Sequence, residues 1–553
     1  MSLTIMKRYF RAFAVTSATM LVSCSDQLAV TNPNVVDVDA AFRTPQGIQQ
    51  IVGKSFQGLF QGQYASLDAL APQAMNSSGE SAASVANSGM GLRTGIPRQV
   101  IDNQLGNQTF AGNFRDFSFF TRFARQAANG LSALAALSRP ATETAKARAL
   151  GYFVLGYAQG NIALMYDSAA VIRPGQTDEK VFGSAQAVMA NALVMLDSAI
   201  AITNAADQAA SAFPIQGSEF INGTTLTTAR FAQVARSYKA RFRAGVARTP
   251  TERAAVDWAA VLADAAAGIT TDLTVTLDPA IGWNVSAGGV INQLQVFGGW
   301  HQMPLLYAGM ADTSGGYQAY IAPGAFVTAR TGFLVQTPDN RWPRGATRAE
   351  QSSVQSAVVP PPGVYLRNRP VAQDVPDNAN TWANSNYDNF RFRPILDALG
   401  TGTWILMTAT EIRMLQAEAL IRLNRIPDAV TVINASRITK NLPALSATSD
   451  INTPVPGGTT AAPVPGGASC VPRVPVSATT TACGNVLEAM KYEKRMETMF
   501  TGYAQWFIDG RGWGDLVAGT PLEWPVPIQE MNSRAKTAYN GARRQAAPST
   551  YSF

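Results

Sequence analysis

Apolar side chains recur three and four residues apart along several long stretches of the chain. This spacing places them on one face of an amphipathic helix, which buries that face against a core. The apolar stripes are Leu150, Phe153, Val154 and Tyr157; Val188, Ala192, Met195, Leu196 and Ala199; Phe231, Val234, Ala235, Tyr238 and Phe242; Trp258, Val261, Leu262 and Ala265; and Ile412, Leu415, Ala419, Leu420 and Leu423. We therefore predict a mainly α protein whose helical scaffold covers about 111–269 and 404–516.

The predicted helices form pairs joined by short turns. Two of them begin with capping boxes, Thr249-Pro250-Thr251-Glu252 and Thr408-Ala409-Thr410-Glu411. The pairs are about 145–166 with 180–203, 227–247 with 251–268, and 409–424 with 427–439. Short turns between long helices produce antiparallel hairpins, and hairpins in series predict a tetratricopeptide-like stack.

Residues 270–400, the loop-rich region, lack this helical periodicity and are rich in Gly, Pro, Asn, Ser and Thr. Aromatic residues remain frequent there: Trp283, Trp300, Tyr307, Tyr317, Tyr320, Trp342, Tyr365, Trp382 and Tyr387. Long irregular segments on a regular scaffold usually carry function. We predict that this region packs on the scaffold and carries the function.

The N-terminus has the pattern of an export signal. Basic Lys7, Arg8 and Arg11 precede a mainly apolar stretch that is too short to span a membrane. It ends in Leu-Val-Ser-Cys24, which resembles a bacterial lipobox. We predict a lipoprotein signal peptide over 1–23, starting at Met1 or Met6, and a lipid anchor on Cys24; the alternative is an amphipathic helix with an incidental cysteine.

Charge and composition restrict the function classes further. Charged residues make up 15% of the chain, and the 44 Lys and Arg against 37 Asp and Glu form no basic block, which argues against nucleic-acid binding. The single histidine, His301, excludes a His-rich metal site. A lone loop His without a nucleophile is usually structural, and no phosphate-binding Gly loop is present. We predict no cofactor and no metal.

Cys470 and Cys483 lie in or beside a Pro/Gly/Thr-rich loop over 452–481. Disulfides persist in exported proteins, so we predict one disulfide between them, with two free thiols as the alternative.

Short motifs along the whole chain carry a family resemblance. They are Cys24-Ser-Asp-Gln-Leu28, Asn32-Pro-Asn34, Phe56-Gln-Gly-Leu-Phe60, Thr408-Ala409, Ala417-Glu-Ala419, Ile433-Asn-Ala-Ser-Arg437, Leu442-Pro443, Glu493-Lys-Arg-Met-Glu497, Gly502, Trp506-Phe507, Asp509, Arg511, Trp513-Gly514 and Pro525-Val-Pro-Ile528 with Glu530. In this order the chain resembles the SusD/RagB-like nutrient-binding lipoproteins of the bacterial outer membrane.

Some positions depart from the family pattern. Thr501 replaces the usual Glu, Ala504 replaces an expected Arg, and Asp509 comes about two residues late. These departures put the local salt-bridge pattern in doubt. Glu493 and Glu497 share one helix face, and we expect them to pair with Lys494, Arg495 or neighbouring helices.

The resemblance implies one SusD-like domain over 24–553 that is lipid-anchored in the outer membrane and faces the exterior. Such proteins capture oligosaccharides or related nutrients and pass them to a SusC-like TonB-dependent transporter, without catalysis. Two alternatives remain open at this point: a secreted α-rich glycoside hydrolase, and a helical-repeat scaffold lipoprotein that binds no small ligand.

Sugars stack their C–H faces on aromatic rings and pair their hydroxyls with polar side chains. We therefore predict ligand contacts within the loop-rich region, where both kinds of side chain occur. The predicted contacts are Trp283, Trp300, Trp342 and Tyr307, with Asn284, Gln293 and Arg341 as polar partners; Tyr64, after the first helix, is an additional candidate.

Overall fold

The computed structural model of the protein describes residues 41–64, 70–82, 90–106, 110–176, 181–205, 213–283, 302–324, 330–353, 363–371, 385–464, 469–541 and 543–551. The predicted signal peptide and Cys24 lie outside the described residues. So do Asn284, Gln293, Trp300 and His301, and the hypotheses made for them stay predictions.

The first part of the scaffold is a series of packed helices. They are α1 (Pro45–Tyr64), α2 (Leu70–Ser78), α3 (Met90–Thr94), α4 (Phe110–Ala136), α5 (Ala141–Met165), α6 (Ala185–Asn204), α7 (Thr228–Gly245), α8 (Pro250–Ala254) and α9 (Trp258–Ala266). Strands β1 (Ser168–Ala170) and β2 (Phe182–Ser184) pair between α5 and α6. Helix α5 packs on α4 and α6, α7 packs on α6, and α9 packs on α7. The predicted packing of 145–166 with 180–203, and of 227–247 with the segment over 251–268, is therefore confirmed.

The predicted helix over 251–268 is two helices. Asp257 accepts a hydrogen bond from the backbone N–H of Ala260 and so starts α9 as a new helix. Thr249 caps α8 as predicted, but the Glu252 carboxylate accepts from the N–H of Arg248 at 2.7 Å, one residue before the cap.

The loop-rich region contains short elements. They are β3 (Leu273–Leu277), α10 (Leu305–Ala308), α11 (Gly316–Ile321), α12 (Arg348–Ser353), β4 (Leu366–Asn368), β5 (Tyr387–Asn389), α13 (Arg393–Asp397) and β6 (Gly402–Met407). Strands β3 and β6 pair antiparallel, with Leu277 opposite Gly402. Because the chain enters the region through β3 and leaves it through β6, this pair joins both ends of the region to the scaffold.

The second part of the scaffold follows directly. Its helices are α14 (Ala409–Arg422), α15 (Ile426–Arg437), α16 (Val486–Thr498), α17 (Gln505–Trp513) and α18 (Ile528–Ser533). Helix α14 packs on α9, α15 and α16, which continues the series of hairpins. Thr408 caps α14 as predicted, but the Glu411 carboxylate accepts from both Nε and Nη2 of Arg241 at 2.7 Å instead of closing a capping box.

The loop between α15 and α16 carries the short strands β7 (Gly457–Gly458), β8 (Pro463–Val464), β9 (Arg473–Pro475) and β10 (Thr481–Cys483). Cys470 and Cys483 form the predicted disulfide within it.

In the described part of the chain, α6 is the one helix that is long and apolar enough, by length and composition, to cross a membrane. Its buried residues include Val188, Ala192 and Leu196, on the face toward the neighbouring scaffold helices. Helix α6 packs on α5 and α7, as expected of a core helix.

A buried acid gives the fold a testable pH dependence. Glu80 is buried, accepts from the backbone N–H of Phe500 at 2.7 Å, and has no partner for Oε2 among the described residues. Burial raises the pKa of Glu80 to about 8, despite that hydrogen bond. The folded state therefore retains a proton that the unfolded state releases near pH ~4. The protonated carboxyl tolerates burial better than the carboxylate, so the free energy of unfolding falls as the pH rises from that value through about 8.

We expect Glu80→Gln to be more stable than the wild type at pH 9 by about 1 kcal/mol or more, and to show little advantage at pH 5. The amide keeps an acceptor for Phe500 and removes the buried charge. Thermal unfolding at both pH values measures this, with the exposed Glu143→Gln on α5 as control. An equal advantage at both pH values would show that Glu80 is not the titrating group.

Candidate ligand-binding site

Two of the predicted ligand contacts lie in the core beside the β3–β6 pair. The ring of Trp283 packs on Phe60 at 5.3 Å, and the ring of Tyr64 packs edge-on against Trp404 at 4.5 Å. Trp283 and Tyr64 are each 2% exposed. Because so little of either ring reaches the surface, both are assigned to packing, which corrects the prediction that they contact ligand.

Trp342 and Tyr307 are likewise enclosed. Trp342 is buried and donates from Nε1 to the hydroxyl of Tyr492 at 3.3 Å. Tyr307 is buried and donates its hydroxyl to the carbonyl of Asp515 at 2.9 Å. Both polar tips bind protein groups, so these aromatics connect the loop-rich region to the scaffold, and the prediction of ligand contact is corrected for them as well.

Arg341 was predicted to bind ligand and is instead surrounded by carboxylates. Its guanidinium lies 2.7 Å from Asp339, 3.1 Å from Glu493 and 3.1 Å from Glu497, and its side chain is fully buried. We call these four residues the Arg341 cluster. Burial lowers the pKa of Arg341, but Asp339 and Glu493 outweigh that effect and hold the pKa well above its usual value.

The partners of the α16 acids match the prediction in part. Ser436 on the neighbouring α15 donates to Glu493 at 2.7 Å, and Lys440, just after α15, binds Glu497 at 3.3 Å, but both acids also bind a residue outside the helices. Glu493 and Glu497 bind Arg341 of the loop-rich region. Lys494 instead binds Asp509 at 2.7 Å, and Arg495 binds Asp515 at 2.5 Å. The late position of Asp509 does not prevent a salt bridge, because α17 places it beside Lys494.

The Arg341 cluster also positions strand β4. The carbonyl oxygen of Arg341 accepts from the N–H groups of Tyr365 at 2.8 Å and Leu366 at 3.1 Å. Strand β4 then pairs antiparallel with β5, which places Asn368 opposite Tyr387. Both residues line a cavity next to this strand pair.

This cavity, the loop-region cavity, has a volume of about 370 Å³. Its described lining residues are all uncharged: Leu305, Gly332, Phe333, Leu334, Asn368, Ser385, Asn386 and Tyr387. Aromatic rings with a few convergent polar groups are the usual composition of a small-molecule site. The lining is thus suited to a neutral ligand with both apolar and hydroxyl surfaces.

Hydrogen bonds fix the polar wall of the cavity around Gln351. The amide nitrogen of Gln351 donates to the carbonyls of Val335 at 3.0 Å and Gly345 at 3.1 Å. Its oxygen accepts from the hydroxyl of Tyr387 at 2.7 Å and from the amide nitrogen of Asn368 at 2.9 Å. Burial raises the pKa of Tyr387 to about 12, so the phenol is neutral at physiological pH.

Phe333 forms the apolar wall. Its ring is half-buried and packs on Tyr320 at 5.7 Å and on Tyr317 at 6.3 Å, both on α11. Gln318 of the same helix accepts from the N–H and the hydroxyl of Thr481, each at 2.7 Å. The disulfide-closed loop therefore holds the helix that supports Phe333.

A second cavity of about 380 Å³ lies on the scaffold between α6, α7 and α8. Its lining combines apolar residues such as Met189 and Leu193 with the charged residues Arg243, Glu252 and Asp257. Arg243 at its rim already binds Asp264 at 2.9 Å. Glu252 and Asp257 already accept hydrogen bonds from the backbone N–H groups of Arg248 and Ala260. Because the loop-region cavity has an uncharged described lining, it is the better candidate for a neutral polar ligand.

Comparisons with known proteins bear on the fold. No family model matches the chain, and no curated protein sequence matches it. Among solved structures, a SusD-like protein from Bacteroides fragilis superposes with a TM-score of 0.51 at 14% identity, over 86% of this chain and 87% of that chain. The chain has the SusD-like fold. A SusD homolog from Bacteroides thetaiotaomicron gives a TM-score of 0.47 at 12% identity, over 90% of each chain.

The SusD-like fold confirms the mainly α architecture predicted from the apolar spacing, and it confirms the resemblance carried by the short motifs. The site within that fold was only partly predicted. Tyr387 belonged to the aromatic set of the loop-rich region, but Phe333, Asn368 and Asn386 were not singled out. The one sequence signal is the density of amides around 368 and 384–389, which favours Asn368 and Asn386 but not Phe333.

Proposed function

We propose that this protein is a non-catalytic binding protein that captures a neutral glycan in the loop-region cavity. The uncharged lining carries the proposal: the ring of Phe333 offers a stacking surface for sugar C–H groups, and Asn368 and Asn386 offer amides for hydroxyls. Neutral polar side chains also suit a ligand that brings no charge of its own. The SusD-like fold is consistent with this role.

Binding without turnover is favoured by the same lining. Glycoside hydrolysis needs two carboxyl groups on either side of the scissile bond, about 5–10 Å apart. The described residues that line the cavity include neither Asp nor Glu. In the Arg341 cluster, the carboxylates of Asp339 and Glu493 are already bound to Arg341.

We further propose that Cys24 anchors the mature protein in the outer membrane, facing the exterior, and that it passes its ligand to a SusC-like TonB-dependent transporter. The export signal, the lipobox-like Cys24 and the SusD-like fold support this part of the proposal. Purification of the detergent-solubilised native protein should recover a β-barrel partner; recovery of the protein alone would remove the support for transport.

Calorimetric titration with neutral oligosaccharides, acidic oligosaccharides and peptides tests the binding function. We expect a neutral oligosaccharide to bind. Phe333→Ala should weaken its affinity about 10- to 100-fold, because burying the apolar surface of such a ring contributes about 1.5–3 kcal/mol. Phe123→Ala, at a half-buried ring on α4, is the control and should leave the affinity unchanged. Turnover of the oligosaccharide would favour a hydrolase, and absence of any binding would favour a scaffold protein.

A further inference from the structure

One buried acceptor beside the loop-region cavity has no partner among the described residues. Asn368 is fully buried, and its Oδ1 receives no hydrogen bond from any residue that the structure describes. A buried polar atom left without a partner costs free energy, so such atoms in folded proteins are usually satisfied by water or by a ligand. Because Asn368 also lines the cavity, a molecule bound there would lie beside its side chain.

The orientation of the Asn368 amide is fixed by its neighbours. Its nitrogen donates to Oε1 of Gln351 at 2.9 Å. Gln351 cannot rotate its own amide without losing its donations to the carbonyls of Val335 and Gly345. A flipped Asn368 amide would place two acceptor oxygens, Oδ1 of Asn368 and Oε1 of Gln351, against each other. The unsatisfied atom is therefore an acceptor in every favourable arrangement.

The other polar groups at the inner wall already have partners. The hydroxyl of Ser385 donates to the carbonyl of Met303 at 2.5 Å and accepts from the N–H of Tyr387 at 3.1 Å. The hydroxyl of Tyr387 donates to Gln351 and accepts from the N–H of Val335 at 2.9 Å. Asn386, which is half-buried, remains free to adapt its amide to either a donor or an acceptor.

We infer that Asn368 determines specificity in this cavity by accepting a hydrogen bond from the ligand, which must present an uncharged hydroxyl or N–H donor there. This inference rests on the proposed function and names its ligand more closely: a neutral sugar unit with a free hydroxyl at the Asn368 position. A carboxylate or sulfate would face the Asn368 oxygen with no cation among the described lining residues to compensate it.

The test uses the mature wild-type protein with maltohexaose, cellohexaose, xylohexaose and mannohexaose, and with an oligogalacturonide of the same length as the acidic probe. We expect a neutral probe to bind at least tenfold more tightly than the acidic one. Monodeoxy analogues of the best neutral probe should then identify one hydroxyl whose removal weakens binding about tenfold. In Asn368→Leu, which removes the acceptor at similar volume, loss of that hydroxyl should have no further effect.

A merely structural role for Asn368 predicts a different pattern. In Asn368→Leu the deoxy analogue would then still bind about tenfold more weakly than the parent probe; a lower Tm is expected under either role, because the substitution also removes the hydrogen bond to Gln351. Binding that depends on Phe333 but is insensitive to both the deoxy series and Asn368→Leu would overturn the inference and leave the proposed function standing. Should Asn368→Leu fail to fold, the deoxy series on the wild type decides alone. Absence of binding by every probe would overturn both.

Discussion

Replacing Arg341 with Met is expected to lower the free energy of unfolding by about 3–5 kcal/mol. The guanidinium is enclosed with Asp339, Glu493 and Glu497 in the Arg341 cluster, and all four side chains are buried or nearly so. Its removal leaves the carboxylates without their shared cation, because Lys440 reaches only Glu497, at 3.3 Å. The variant keeps the backbone carbonyl that binds Tyr365 and Leu366, so any effect on β4 and the loop-region cavity comes from movement of the backbone at residue 341.

Urea denaturation at pH 7 measures this effect. Arg393→Met is a matched control, since Arg393 binds Asp397 at 2.9 Å in a partly exposed pair on α13. Such pairs contribute about 0–1 kcal/mol, so the control should be close to the wild type. Equal effects of the two substitutions would mean that the Arg341 cluster does not stabilise the fold as its burial indicates.

Replacing Glu418 with Ala is expected to have an effect of similar size, about 3–5 kcal/mol. The carboxylate accepts from Arg253 at 2.6 and 2.9 Å and from Nε1 of Trp513 at 3.0 Å, within the contact between α8, α14 and α17. Arg253 is fully buried and would retain one carboxylate partner, Asp509 at 3.1 Å. The substitution therefore leaves a buried cation undercompensated.

The contribution of Glu418 should also depend on pH. Burial raises its pKa, but Arg253 outweighs burial and lowers the pKa to about 2. Because this value lies below the unfolded value near ~4.3, the stabilisation is present above that pH and lost as the pH falls toward 2. The gap in Tm between the wild type and Glu418→Ala should accordingly narrow between about pH 4 and pH 2.

Asp428→Ala is the control for Glu418, since Asp428 and Arg425 form a pair in which each side chain is 54% exposed. It should change stability by less than about 1 kcal/mol at pH 7. A gap for Glu418→Ala that stays constant down to pH 2 would contradict a depressed pKa for this carboxyl.

The helical scaffold could be predicted because its signal is local. The stripe Leu150, Phe153 and Val154 lies within a single helix, and all three residues are fully buried in α5. The division of α8 from α9 was missed because it depends on Asp257, which caps α9. The spacing of the apolar residues does not indicate that Asp257 has this role. The antiparallel pairing of β3 with β6 was missed because it joins segments from the two ends of the loop-rich region.

The site residues depend on contacts that a sequence pattern does not record. In the sequence, nothing distinguishes Arg341 from an exposed loop cation. Its burial follows from the tertiary contact with Glu493 on α16. Trp283 and Trp342 likewise satisfy the pattern of a sugar-binding aromatic, but the fold buries both. Phe333 and Asn368 become adjacent only when α11 and β4 are in place, so their role follows from tertiary packing and not from residue type.

A crystal structure of the mature protein with the most tightly bound neutral oligosaccharide tests the assignment of the binding site directly. We expect one sugar ring in the loop-region cavity, stacked on Phe333, with a hydroxyl within about 2.5–3.0 Å of Oδ1 of Asn368. An oligosaccharide bound elsewhere, with the loop-region cavity empty, would contradict the assignment.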